Sequence, residues 1–200
     1  MWNRVLLGSL LGALGCSAGA TAPEALVASD PALSAMAAEL RGEPHTRFVA
    51  AGHDQIIVPA AVFGTGTDIV AWFSFVAVRD RTGAVKGLYR ASEALEGSTS
   101  HFSGRLTCAG VYDFNGLTGN RAKVGGRIDA SDDPGIAVGS FIWWQAIDNR
   151  SPGRPDQSTL PGFGDEAANE AFCGAPTPPR FGPFDVVRGN IVVGSGEDED

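Results

Sequence analysis

Basic residues are scarce in this chain, where 15 Lys and Arg stand against 23 Asp and Glu, a formal net charge of -8. Only Arg4 of the basic residues lies in the first twenty positions, so the rest of the chain has 14 basic and 23 acidic residues, a charge of -9. A protein of this charge repels the phosphates of nucleic acids unless it has a basic patch, and the sequence has none. We therefore expect no nucleic-acid partner.

The sequence also lacks the motifs that mark common catalytic and metal sites. It has three histidines, HExxH and zinc-finger cysteine spacing are absent, and G-x-S-x-G does not occur after residue 20. Two groups of acidic residues have carboxylates that calcium could bind, but their spacing fits no known loop and acidic residues are common in turns. These groups are Asp129 with Asp132 and Asp133, and Asp148 with Asp156. We expect neither a metal nor a cofactor.

The apolar run Val5–Leu14 is too short to cross a membrane. It follows Arg4 and precedes small residues, which is typical of a secretory signal peptide at residues 1–20. The signal has two possible ends: the sequence before Cys16 resembles a bacterial lipobox, imperfectly because Leu14 lies two residues before Cys16, and cleavage after Ala20 also fits. We favour lipidation at Cys16 by a small margin over secretion. Either end predicts an extracytoplasmic protein whose only membrane attachment is an N-terminal lipid.

Glycine and proline are abundant, with 27 and 12 residues, and favour turn-rich β structure. We divide the chain into the signal peptide 1–20, an Ala-rich tether with a short helix at 21–46, one β domain at 47–194 and an acidic tail at 195–200. The helix is predicted from the cap Asp30-Pro31 and from apolar residues that recur with helical spacing up to Leu40.

Alternating apolar residues predict the strands of the β domain. The strands at 68–79 and 136–148 are apolar on both faces, whereas the others have one polar face. The remaining predicted elements are strands at 84–92, 101–110 and 121–130, an extended segment at 184–193, a Pro/Gly loop at 149–164 and a helical turn at 165–172.

Two pairings of the strands 101–110 and 121–130 keep both apolar faces in the core, because the core residues are even-numbered on each strand. One pairing places Arg105 opposite Arg127, which is unfavourable for like charges. The other places His101 opposite Asp129, and we prefer it. In that pairing Gly104 and Gly126 are also opposed, which indicates a bend or a close approach of another element.

The strand pattern predicts a mainly β protein with one short N-terminal helix. Strand signals recur roughly every 10 to 15 residues with turns between them, which excludes a parallel α/β sheet. We expect an antiparallel sandwich or a small closed barrel of about seven or eight strands. The sequence does not distinguish these two architectures.

Two cysteines remain after export, when Cys16 is removed or acylated. Cys108 lies on the predicted core face of its strand, and Cys173 follows the long loop. We predict a disulfide between Cys108 and Cys173, because exported proteins form such bonds. The alternative is two buried free thiols.

The sequence resembles an uncharacterised exported bacterial β domain over approximately residues 100–193. The motifs that carry the resemblance are F-x-G-x-x-T-C from Phe102, G-N-x-A-x-V-G-G from Gly119, Asp148-Asn149, Pro155-Asp156, a second cysteine and G-N-I-V-V from Gly189. The family's D-N-G-E motif is Asp148-Asn149-Arg150-Ser151 in this chain. The resemblance implies an extracytoplasmic domain with a cysteine pair, and it implies no activity or catalytic residue.

Two classes of function are compatible with these patterns. The first is a non-catalytic protein that binds an apolar small molecule or an envelope protein, with Trp72, Trp143 and Trp144 as candidate ligand-binding residues. Trp143 and Trp144 are adjacent and must face opposite sides of their strand; the simpler alternative is that all three fill the core. The second class is an enzyme that uses a barrel interior, with His101 and Asp129 as an acid–base pair.

Overall fold

The computed structural model describes residues 31, 34–35, 47–112, 120–150, 153–174 and 182–194. The predicted signal peptide, Cys16, the predicted acidic tail and most of the predicted N-terminal helix lie outside these residues. Pro31, Ser34 and Ala35 are helical.

The protein is a closed antiparallel barrel of eight strands, which confirms the barrel alternative rather than the sandwich. The strands pair around the ring in the order β1-β2-β3-β4-β5-β6-β7-β9 and back to β1, and β8 pairs with β6 outside the ring. The elements are β1 Arg47–Val58, α1 Ala60–Phe63, β2 Ile69–Arg79, β3 Val85–Leu95, β4 Ser98–Tyr112, β5 Asn120–Ser131, β6 Phe141–Asp148, β7 Gln157–Ser158, β8 Gly162–Gly164, α2 Glu166–Gly174 and β9 Phe184–Val193.

Large aromatic side chains fill the barrel interior. The ring of Trp144 lies 5.4 Å from the rings of Phe73 and Phe75 and 5.7 Å from that of Tyr89, measured between centroids. All four residues are buried. Alternation along each strand brings these residues inward, so the core is a packed aromatic cluster.

The pairing of β4 with β5 differs from the preferred register. Arg105 is opposite Arg127, and His101 is not opposite Asp129. Bulges between Ser103 and Gly104 and between Leu106 and Cys108 shift the register along the pair. The Arg105 guanidinium binds the Asp129 carboxylate at 2.9 Å, so the charge repulsion that argued against this register is neutralised within the pair.

The second bulge also gives Cys108 the orientation opposite to the predicted one, which was toward the core. Beyond the bulge the inward residues of β4 are Ala109 and Val111, and Cys108 points outward. Gly104 and Gly126 are not directly opposed, but a Cβ on either would collide with the backbone of the neighbouring strand. The glycines therefore mark a close approach of β4 and β5.

Two other boundaries differ from the predictions. The strand predicted at 136–148 begins at Phe141, because residues 132–140 form turns in which Ile136 N donates to Asp133 O and Ser140 N donates to Ala137 O, both at 3.1 Å. The predicted loop 149–164 contains β7 and β8. The predicted helical turn is α2, and Asp165 caps it by accepting a hydrogen bond from Ala168 N at 2.9 Å.

Side chains complete the barrel where β7 is too short to bridge β6 and β9. Asp156 accepts a hydrogen bond from Ile191 N at 2.8 Å, and Asp148 accepts one from Val193 N at 3.2 Å. Arg150 lies against Asp148, with Nε 3.5 Å from a carboxylate oxygen. We call this region, between β6 and β9 and containing Asp148, Arg150 and Asp156, the seam. The second acidic group considered for calcium, Asp148 with Asp156, thus binds backbone amides at the seam.

Candidate functional site

A groove of about 580 Å³ crosses the outer face of the barrel over β1 to β5. This volume lies within the usual range of small-molecule sites. Most of its exposed wall is apolar. The residues that line it include His53, Trp72, Ser74, Arg90, Ser92, His101, Ser103 and Asp132.

Strand register places the outward side chains of the groove in two parallel rows. In the first row His53, Ser74, Arg90 and Ser103 are successive partners on β1, β2, β3 and β4. In the second row Gln55, Trp72, Ser92 and His101 are partners on the same strands. Neighbouring Cβ atoms within a row lie roughly 5 Å apart. The rigid sheet therefore sets the spacing of these side chains.

Trp72 is the large flat side chain of the groove. It is half-buried, and its partners within the row are Gln55 and Ser92. The indole N–H makes no hydrogen bond to any residue that the structure describes. Ser92 has a small side chain and lines the groove beside Trp72.

The other two candidate tryptophans lie elsewhere. Trp144 is 1% exposed in the barrel interior, and Trp143 is on the outer face, so the expectation that they face opposite sides is confirmed. The ring of Trp143 lies against Gly162 and Gly164 of β8 and 6.2 Å from the Phe172 ring of α2. The structure therefore does not bring the three tryptophans together, and Trp72 alone lines the groove.

The two candidate acid–base residues are not paired with each other. His101 is on the outer face, with a side chain 65% exposed, and its Nδ1 lies 3.0 Å from the Asp132 carboxylate. The same carboxylate accepts a hydrogen bond from the His101 backbone N–H. This hydrogen bond and the contact with the His101 ring hold the pKa of Asp132 below its ordinary value. Asp129 binds Arg105 instead. The prediction of a His101–Asp129 pair in a barrel interior is wrong, because the bulged register places Asp132 beside His101.

His53 and Ser74 form a second polar pair in the groove, with 2.7 Å between Nδ1 and Oγ. A nucleophilic serine needs an oxyanion hole of free N–H donors near it. Ser74 lies in the middle of β2, which is paired on both sides with β1 and β3, so the sheet uses the strand amides around it. The arrangement is suited to hydrogen bonding with a ligand.

Sequence reasoning missed His53, Ser74 and Arg90. Ser74 had a visible signal, because it is the polar residue on an otherwise apolar outer face of β2 that also holds Trp72, Val76 and Val78. His53 and Arg90 had none, since their place beside Trp72 depends on strand register.

A buried acid was also missed. Asp54 points into the barrel on β1, is 2% exposed, and neither carboxylate oxygen has a hydrogen-bond partner among the described residues. The nearby Ser158 hydroxyl donates to the Gln145 carbonyl at 3.4 Å. Burial raises the pKa of Asp54 to about 8. The Ser158 hydroxyl lowers this pKa, and the negative charge of Asp156 raises it further. The carboxyl is therefore protonated at neutral pH.

The predicted disulfide between Cys108 and Cys173 is present, with 6.2 Å between the Cα atoms. It fastens α2 to the outer face of β4, beside Gly125, where a Cβ would collide with Asn169. The Lys123 ammonium donates to the Phe172 carbonyl at 2.6 Å. Lys123 and Arg121, predicted to face water, are buried on this side of the barrel. The disulfide is compatible with an oxidising, extracytoplasmic location.

Within the described residues, no cluster of three or more His, Cys, Asp or Glu side chains is arranged to hold a metal. None of the described helices has the length and apolar character needed to cross a membrane. No family model, curated protein or solved structure matches the chain. The proposals below therefore depend on the residues themselves.

Proposed function

We propose that the protein is a non-catalytic exported binding domain, lipid-anchored through Cys16 or secreted, whose groove holds the aromatic ring of a small ligand against Trp72. The observation that carries this proposal is a half-buried tryptophan in a groove of about 580 Å³ whose wall is mostly apolar. A flat indole stacks on another ring and contributes about 0.5 to 1.5 kcal/mol beyond the area it buries.

Two features of the barrel support binding on the outer face. The interior is filled by the cluster around Trp144, so we expect a ligand to bind on the outer face. The strands under the groove form an uninterrupted run of paired neighbours from β1 to β4, so Trp72 stands on a rigid surface. A rigid site loses little conformational freedom when it binds.

The groove also has hydrogen-bonding groups around the indole. The His53–Ser74 pair lies on one side and Ser92 is the partner of Trp72 on β3. A few polar groups in an apolar wall orient a ligand and provide specificity. The site is therefore suited to a ring with polar substituents rather than to a plain hydrocarbon chain.

The neutral fluorescent probe phenylnaphthylamine tests this proposal. We expect the folded wild-type protein to bind it and Trp72→Ala to bind it about tenfold more weakly, as the loss of one stacking contact implies. Val138→Ala is the matched control, because Val138 is 60% exposed and lies outside the groove. Equal binding by wild type and Trp72→Ala, or no binding by either, would refute the proposal.

A further inference from the structure

Arg90 is a cation in the groove that has no counterion among the residues that the structure describes. Arg90 is exposed, lines the groove, and makes no hydrogen bond or ion pair with the residues that the structure describes. The chain as a whole has a formal charge of -8, and Arg90 places a positive charge beside Trp72 in the groove. A guanidinium presents a planar fork of donors that matches a carboxylate or a sulfonate.

The acid that lines the groove among the described residues does not neutralise Arg90. Asp132 accepts hydrogen bonds from the backbone and the ring of His101, at the opposite edge of the groove. Arg90 lies between Ser74 on β2 and Ser103 on β4, both uncharged. In the described part of the chain, the middle of the groove therefore has a positive charge and no neighbouring negative charge.

The register also sets the distance between Arg90 and Trp72. Trp72 is opposite Ser92 and Ser74 is opposite Arg90, so Trp72 and Arg90 are diagonal neighbours on the same face. Diagonal positions on adjacent antiparallel strands lie about 7 to 8 Å apart. An acidic substituent on a ring that is stacked on Trp72 can reach the Arg90 guanidinium over this distance.

We propose that the ligand of the groove is an aromatic acid, with its ring on Trp72 and its carboxylate or other anionic group bound to Arg90. This inference rests on the proposed function, because it assigns the ligand class of the same groove. Ser74, the partner of Arg90 on β2, supplies a further hydrogen bond to the acid group, and His53 on β1 is the hydrogen-bond partner of Ser74.

Two probes that share one aromatic framework test the inference. Anilinonaphthalene sulfonate carries a sulfonate, and phenylnaphthylamine is the same framework without it. We expect the wild-type protein to bind the sulfonate about tenfold more tightly at low salt, as one charge-assisted contact implies. Raising the salt concentration should weaken sulfonate binding and leave the neutral probe unchanged, because exposed charges are screened.

Arg90→Gln should remove the preference for the sulfonate and leave binding of the neutral probe unchanged. Arg127→Gln is the matched control, since Arg127 is an exposed arginine outside the groove. Trp72→Ala should weaken binding of both probes. If sulfonate binding survives Trp72→Ala, the sulfonate binds elsewhere and the inference is wrong.

The outcomes separate the inference from the proposed function. Binding of both probes with equal affinity, or equal losses for both in Arg90→Gln, would overturn the aromatic acid and leave the stacking groove intact. Failure of the neutral probe to bind in a Trp72-dependent way would overturn the proposed function itself. Circular dichroism of each variant confirms that the β fold is retained before binding is compared.

Discussion

The Asp156 carboxylate accepts a hydrogen bond from the Ile191 backbone amide at 2.8 Å, and this contact joins the loop after β6 to β9. The other carboxylate oxygen accepts one from Asn149 N at 3.1 Å. β7 is only two residues long, so backbone pairing alone does not close the barrel there. The Asp156 side chain thus supplies hydrogen bonds at the seam in addition to those of the short strand β7.

Replacing Asp156 with alanine should therefore weaken the barrel. The change leaves the amides of Asn149 and Ile191 without their acceptor, and we expect a loss of about 2 to 3 kcal/mol in the free energy of unfolding. Urea denaturation measures it. Asp185→Ala is the control, because the Asp185 carboxylate has an exposed contact to Gln157, and it should lose less than about 0.5 kcal/mol. Similar losses in both variants would contradict the role of Asp156.

The buried Asp54 makes stability dependent on pH. The unfolded chain ionises this group near 3.8, whereas the folded chain keeps it protonated up to about 8. Between these values the folded state binds the extra proton, so stability falls as pH rises from about 4 to about 8. At pH 7, the stability of Asp54→Asn relative to wild type should exceed its relative stability at pH 3 by on the order of 4 kcal/mol. Parallel stability curves for the two proteins would refute this.

Gly104 should tolerate no side chain. A Cβ at this position would collide with the Arg127 carbonyl on β5, and backbone of a paired strand cannot move aside easily. We expect Gly104→Ala to lose about 2 kcal/mol or more in thermal denaturation. Gly66→Ala is the matched control, since its Cβ would meet only the Glu96 side chain at 3.6 Å. Equal effects at both positions would show that the strands are not as close as described.

The disulfide fastens α2 over Trp143. Its 65-residue separation corresponds to about 4 kcal/mol in the chain-entropy description. Cys108→Ser with Cys173→Ser should lose stability of this order and should make Trp143 more accessible to iodide quenching. Mass spectrometry of the exported wild type without reductant should find the two cysteines in one linked peptide. Alkylation of both cysteines under those conditions would disprove the bond.

Lipidation at Cys16 remains a prediction from the sequence. Expression of the full chain in a bacterial host that is fed labelled palmitate should label the wild type, and Cys16→Ser should carry no label and be released from the membrane fraction. An unlabelled wild type whose N-terminus is Thr21 would instead establish cleavage after Ala20 and secretion.

The strands and the antiparallel β class were predictable from the sequence because alternation along a strand is a local property, whereas the choice of a barrel over a sandwich was decided by the pairing that closes the sheet. The inner face of β2, from Ile69 to Ala77, and the cap of α2 at Asp165 are set by neighbouring residues alone. The disulfide was predictable for a simpler reason: if the predicted export removes or acylates Cys16, only Cys108 and Cys173 are available to each other.

The composition of the groove was decided by tertiary structure. A bulge changes register without a distinctive residue pattern, and the bulges of β4 and β5 set Asp132 beside His101 and turned Cys108 outward. Arg90 reaches Trp72 only through the pairing of β2 with β3. The like charges of Arg105 and Arg127 favoured the wrong register, because Asp129 neutralises Arg105 only in the folded pair. The sequence by itself determined which residues face inward along most of each strand, and the closed sheet determined which outward residues meet, since such meetings depend on pairing between distant segments.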